Sequence, residues 1–139
     1  MYTSDIKAKA RRTFYTYLGV YFLCSAFGVI YEMFSHGVIS FFMLFCGMPP
    51  LLFGVLPFFI IFMTGRGFPR RLAYNLYNSG VATLTVGFVI TGVLQIYGTT
   101  NPLCNVYFVA AAAFLTAGVI CWVCGAKKDK KTLEKNKNV

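Results

Sequence analysis

Thr64-Gly65-Arg66-Gly67-Phe68-Pro69-Arg70-Arg71 divides this chain in two. Its glycines and proline are turn formers and its arginines are unwelcome in an apolar interior, so the segment separates its neighbours and extends neither. Immediately before it runs an uncharged apolar stretch, Val38 to Met63, and immediately after it another, Leu72 to Tyr97. Further out, the short turn Phe34-Ser35-His36-Gly37 leads back to Thr13 to Met33, which is uncharged until Glu32. On the other side the polar turn Gly98-Thr99-Thr100-Asn101-Pro102 leads on to the uncharged run Leu103 to Gly125. About 20 apolar residues let a helix cross the ~30 Å hydrocarbon core of a bilayer. The expected fold is therefore all-α, a polytopic membrane protein of four transmembrane helices in two hairpins. The helices are expected over 13–33, 38–63, 72–97 and 103–125, between a basic segment 1–12 and a basic tail 126–139.

Composition agrees with lipid as the solvent. Of 139 residues 58% are hydrophobic and only 12% charged, and the mean hydropathy is +0.65; soluble domains carry about 25% charged residues. Four crossings use about 80 residues, which leaves short loops and no soluble domain. The net charge of +9 would suit nucleic acid if read alone, but its placement points elsewhere. All 13 basic residues fall in the amino-terminal segment, the Arg66 to Arg71 loop and the tail after Gly125. Positively charged loops stay on the cytoplasmic side, so both termini and that loop are expected in the cytoplasm, with the turns at His36 and Asn101 outside. The plasma membrane is the expected location, with no nucleic-acid partner. The lysines from Lys127 to Lys137 would meet anionic lipid. No A-x-A site follows the first apolar run, which therefore reads as a spanning helix and not as a cleaved leader.

The second run is longer than a bilayer requires, and Pro49, Pro50 and Pro57 interrupt it. A proline inside a helix removes an N–H donor and crowds the carbonyl four residues back, so a bend is expected there. A weak duplication is visible between the hairpins: Arg11-Arg12 with Tyr15 opens the first and Arg70-Arg71 with Tyr74 the second. Gly28-Val29-Ile30 and Gly92-Val93-Leu94 recur near the outer ends of the odd-numbered helices. Such a parallel repeat would have its axis along the membrane normal, as some transporters do, although any two outward hairpins share basic starts and apolar middles.

The third helix carries the most ordered pattern. Asn75, Ser79, Thr83, Gly87, Thr91 and Gln95 recur every four residues, and Ala113, Ala117, Cys121 and Gly125 do the same on the fourth. Small and weakly polar ridges allow close helix approach, so a seam of Ser79, Thr83 and Gly87 against Ala113 and Ala117, with a right-handed crossing, is expected. The competing use of these residues is a polar path lined by Asn75, Asn78, Thr91 and Gln95, with Thr85 beside it. Four-residue spacing winds around a helix of 3.6 residues per turn, which favours packing over a straight pore.

Glu32 and His36 are the only acidic residue and the only histidine on the outer side. If helix persists between them they share a face and form an outward ionisable pair, able to sense protons. Two ligands are too few for a protein-only zinc site, so no metal is expected. Of the five cysteines, Cys121 and Cys124 form a C-W-V-C near the cytoplasmic end of the fourth helix, a spacing that can serve dithiol redox chemistry. A C-x-x-C on a helix of a four-helix membrane bundle resembles membrane thiol oxidoreductases of the vitamin K epoxide reductase type. The resemblance covers Cys121 and Cys124 and implies redox activity at that pair. Those enzymes use an outward-facing pair with further shuttle cysteines, whereas this pair is expected near the cytoplasm and Cys104 stands alone outside.

No phosphate-binding glycine loop, no Ser/His/Asp set and no H-E-x-x-H occurs, so neither an enzyme nor a cofactor is expected. No Asp, Glu, Lys or Arg lies deep in a span, which removes the usual coupling residue of ion-driven transporters. The expected function is a non-catalytic accessory subunit of a larger membrane complex or a self-associating scaffold and homo-oligomer. A small transporter or channel for an uncharged or weakly charged solute is the alternative, and a membrane thiol redox protein the third.

Overall fold

Residues 2–65 and 67–137 are described by the computed structural model, with side chains described from residue 4 to 126 apart from 66. The side chains of Arg66 and of the lysines from Lys127 onward, and with them the anionic-lipid contact expected of the tail, lie outside the described residues.

α1 spans Tyr2–Met33, so the basic segment expected to precede the first span continues its helix. The second apolar run does not form one bent helix; it breaks into α2, Phe41–Leu44, a π-helical stretch, Pro50–Val55, and α3, Leu56–Thr64. Its cause is local. Ser40 caps α2 with its side chain accepting from the Met43 N–H, and Pro49 and Pro50 bring no donors to continue that turn. The π-helical stretch closes with the Leu56 N–H on the Leu51 carbonyl, one residue before Pro57. The wider turn moves backbone away from the carbonyl that the Pro57 ring would crowd. α3 ends at Gly65 in the left-handed region, φ 65, which only glycine enters without steric cost. α4, Arg71–Ile96, keeps the expected third helix within a residue at each end. α5, Cys104–Lys137, runs through the expected fourth helix and on into the tail.

Among the described residues all regular structure is helical. Ser4–Met33, Arg71–Ile96 and Cys104–Ala126 are each long and apolar enough to cross a membrane, and Pro50–Thr64 is a shorter apolar helix. Only 11% of the most apolar window of α1 and of α5 is buried inside the chain, and 28% of that of α4. The uncovered remainder is hydrocarbon-like, with Leu23 at 72%, Val109 at 70% and Ile120 at 62% exposure. That exterior suits lipid and not water.

α4 and α5 form the tightest pair in the molecule. Contacts step down α5 as they step up α4: Phe88 meets Phe108, Gly80 meets Leu115, and Tyr77 meets Gly118 and Trp122. The stripe of α5 that faces α4 is Phe108, Ala111, Leu115, Gly118 and Trp122, in alternating threes and fours, the spacing of a shallow left-handed crossing. The seam thus falls on a different row from the four-by-four ridge expected. Gly87 belongs to it, lying against Tyr107. Thr83 and Ala117 are half-buried, while Ser79 and Ala113 are exposed. A strict four-residue row drifts out of contact after two turns, whereas threes and fours in alternation hold one face.

In the first hairpin α1 packs on the broken arm along its length, through α2, the π-helical stretch and α3. α1 and α4 run parallel: Thr13 meets Tyr74, Tyr17 meets Asn78 one turn further along both helices, and the Tyr31 and Tyr97 side chains lie together near their far ends. The broken arm runs back along α4. Its Ser40 lies on Gln95, and the Gly67 carbonyl just past its end accepts from Trp122, which packs on Tyr77.

Candidate functional site

The residues that chemistry would need lie where the two hairpins meet, at two levels. At the level of the Gly67 loop the core is aromatic. Phe58 on α3 is fully buried and packs on Tyr17, Phe68, Tyr74, Tyr77 and Trp122. Tyr17 lies stacked on it with ring centroids 5.8 Å apart, in a slot open only because Gly54 has no side chain; a Cβ there would fall within the Tyr17 ring. Passing through that slot, Tyr17 donates its hydroxyl to Asn78 Oδ1 on α4 at 2.6 Å. One turn earlier on both helices, Thr13 Oγ1 and the Tyr74 hydroxyl are 3.1 Å apart. Trp122 closes the level by donating Nε1 to the Gly67 carbonyl at 2.7 Å, which fastens the basic loop to α5.

The second level centres on Ser40, 1% exposed. Its hydroxyl donates to Gln95 Oε1 at 2.8 Å, and its backbone N–H donates to Glu32 Oε1 at 2.9 Å. Glu32 therefore holds the start of α2. The helical face expected to join Glu32 to His36 does not form, because α1 ends at Met33 and His36 sits exposed in the left-handed region at φ 55. Glu32 is engaged by the arm and His36 is left in the turn. Beside this level α2 lies against α4 so closely that a Cβ on Gly92 would come within 2.7 Å of Met43 N.

The four candidate path residues are thus split. Asn78 and Gln95 are tied across the hairpin boundary, and Asn75 is exposed on the outer surface of α4. Thr91 has a buried hydroxyl with no hydrogen-bond partner among the described residues. Thr85, whose hydroxyl bonds the Val81 carbonyl, is satisfied within its own helix. Cys121 is half-buried and Cys124 exposed, both as free thiols. They lie far along α5 from its start at Cys104, away from the helix N-terminus at which redox C-x-x-C motifs sit. Among the described residues no three His, Cys, Asp or Glu side chains gather as a metal site would need.

Sequence reasoning passed over Ser40, Phe58 and Trp122 as partners in these ties. Ser40 had a local signal, a serine just before a short apolar helix, which is a common N-cap. The slots had a subtler one, a tyrosine near the start of each odd arm and a glycine on each return arm.

No protein-family model, curated protein or solved structure matches the chain. Among the described residues the chain is all-helical, with three helices long and apolar enough to cross a membrane, which is consistent with a helical membrane protein.

Proposed function

We propose that the chain crosses the membrane four times and works as a non-catalytic accessory subunit or self-associating scaffold of a membrane complex. Both termini and the Gly67 loop face the cytoplasm, and the tail lies on anionic lipid of the plasma membrane. Support for the fourth crossing comes from the ends of the broken arm, which lie by Gln95 and, past Gly67, by Tyr77 and Trp122. Along α4 those levels are about 27 Å apart at 1.5 Å per residue, close to a full hydrocarbon thickness.

The observation that carries the functional reading is the Tyr17 to Asn78 bond. Together with Ser40 to Gln95 it uses amides that a polar path would have to offer to a solute. Bonds of this kind join helices in a medium where an unpaired amide costs several kcal/mol. Stitching the halves together at two levels suits a rigid body that others bind. The alternative, a small conduit for an uncharged solute, draws on the unpaired Thr91 hydroxyl and the π-helical stretch, since such turns recur at functional sites. Redox activity at Cys121 and Cys124 has the least support, because the pair is mid-helix.

Purification in a mild detergent, with mass measured on the intact complex, tests this reading beside flux of urea or glycerol into proteoliposomes. A defined homo-oligomer or a stoichiometric partner, with flux no greater than in empty vesicles, is the expected result. A strictly monomeric protein without partner, passing solute in a way that Asn78→Leu or Gln95→Leu abolishes, would overturn it.

A further inference from the structure

The glycines of Gly28-Val29-Ile30 and Gly92-Val93-Leu94 meet the same residue. A Cβ on Gly28 would lie 2.5 Å from the Met43 carbonyl oxygen, and a Cβ on Gly92 would lie 2.7 Å from the Met43 nitrogen. α2 is thus held by its backbone between α1 and α4, with Met43 fully buried and Phe41, Leu44 and Phe45 exposed on its other side. Ties at both ends complete the hold. Before α2, Ser40 bonds Glu32 and Gln95; after it, the Cys46 thiol donates to the Cys24 carbonyl at 3.0 Å. By itself the segment is weakly built. α2 has four residues, and the chain goes on through the tight bonds of Cys46 N–H to the Met43 carbonyl and of Met48 N–H to the Phe45 carbonyl. Pro50 brings no donor for the Cys46 carbonyl, and beyond it the arm is anchored by the fully buried Phe58.

We infer that residues 40–47 form a latched flap, which swings about Pro49-Pro50 out of the cleft between Gly28 and Gly92. The inference rests on the arm lying in lipid, as proposed above, and gives an otherwise rigid body one movable part. A glycine wall has no side chain to interlock with the flap, so neither α1 nor α4 needs to change a rotamer to release it. In hydrocarbon, release forfeits packing but no hydrophobic burial, because lipid tails are as apolar as the contacts they replace. The ties are also modest. An interhelical hydrogen bond in a membrane shifts an equilibrium by about threefold, so the three ties together hold the flap by about thirtyfold, which leaves the released state within the range of populated minor conformers. Release parts Phe42 from the rings of Phe88 and Phe108 and frees the Gln95 amide, so the surface of the bundle changes at one place.

Pulsed EPR distances in liposomes read the motion, in a chain whose cysteines are replaced, Cys46 by serine to keep its bond and the others by alanine. Spin labels at Phe41→Cys on α2 and Val106→Cys on α5 report the flap, and labels at Ile60→Cys on α3 and Val119→Cys on α5 report the arm beyond the hinge; all four positions are exposed. The flap pair should show a second distance. Its share should rise about threefold in Ser40→Ala, which loses the hydroxyl tie, and it should become the main distance in Gly92→Ala, whose methyl group displaces Met43. The other pair should keep one distance throughout. A single, unchanged distance for the flap pair in both variants would overturn the inference, and so would equal broadening of both pairs, which means general loosening. The accessibility of the Ile60→Cys label to oxygen, against a water-soluble nickel chelate, tests the lipid placement separately: a label in water would overturn the four-crossing reading whatever the distances show.

Discussion

The two hairpins solve the same packing problem with different backbones. In each, a tyrosine of the first arm lies against a glycine of the returning arm: Tyr17 on Gly54, and Tyr77 on Gly118. In the second hairpin the returning arm is the unbroken α5, and the contact is between helix backbones, since a Cβ on Gly118 would lie 2.8 Å from Tyr77 N. In the first the returning arm is broken by prolines and widened at Pro50–Val55, and at Gly54 the contact is with a tyrosine ring. The straight hairpin closes on itself through shape alone. The broken one depends on its neighbour, borrowing Gln95 for Ser40, Gly92 for Met43 and Asn78 for Tyr17. A regular seam makes a self-sufficient unit, and an interrupted arm needs polar ties to a second unit to hold its course.

The largest effect separating the two is expected at their glycines. Gly118→Val must push backbone apart and should destabilise the protein by about 3 kcal/mol, near the upper end for overpacking. Gly54→Val meets a ring that can swing away, so it should cost about 1–2 kcal/mol, mostly the lost Tyr17 contacts. Unfolding in detergent, followed by Trp122 fluorescence, measures both. Equal losses would erase the distinction between a backbone seam and a side-chain slot.

How much of this was open to sequence reasoning follows from the same contrast. α4 was legible to within a residue because its apolar run is bounded by Arg71 and Gly98, both local signals. The break in the second arm was legible as a bend at Pro49, Pro50 and Pro57, but its division into α2, a π-helical stretch and α3 was not. Where the arm begins depends on which neighbours take up Ser40, here Glu32 at the end of α1 and Gln95 on α4, and that pairing is set by tertiary register. The seam row was misread because a four-residue repeat is visible in the letters, while the row that packs mixes Phe108, Ala111, Leu115, Gly118 and Trp122. That row is regular in position, by threes and fours, but its residue types are mixed in size, so nothing in the letters marks it. Asn78 and Gln95 were picked out as polar residues in an apolar span, but their partners Tyr17 and Ser40 were not, since hydrogen bonding across helices is set by tertiary register.

A smaller effect tests the ties themselves. Tyr17→Phe keeps the stack on Phe58 and removes the bond to Asn78, so it should cost about 1 kcal/mol, within the range for interhelical hydrogen bonds in membranes. Asn78→Leu made in the Tyr17→Phe background should then cost less than Asn78→Leu alone, and additive losses would mean that the two side chains are not coupled. Smallest is Thr91→Val. Removing a buried hydroxyl without a partner should leave stability unchanged or raise it by up to about 1 kcal/mol. A clear loss of stability would mean that this hydroxyl has a partner in the assembled protein, and that the second hairpin is less self-contained than its seam suggests.

The four-crossing bundle requires the broken arm to span the bilayer alongside α5. Single cysteines placed at His36, Asn101 and Gly67, in a chain whose own cysteines are replaced by serine or alanine, can be labelled on intact cells with a membrane-impermeant maleimide. A four-crossing bundle gives labelling from outside at His36→Cys and Asn101→Cys, and at Gly67→Cys only after the membrane is opened. Labelling of Gly67→Cys from outside together with the other two, or of His36→Cys and Asn101→Cys from opposite sides, would contradict the four-crossing bundle.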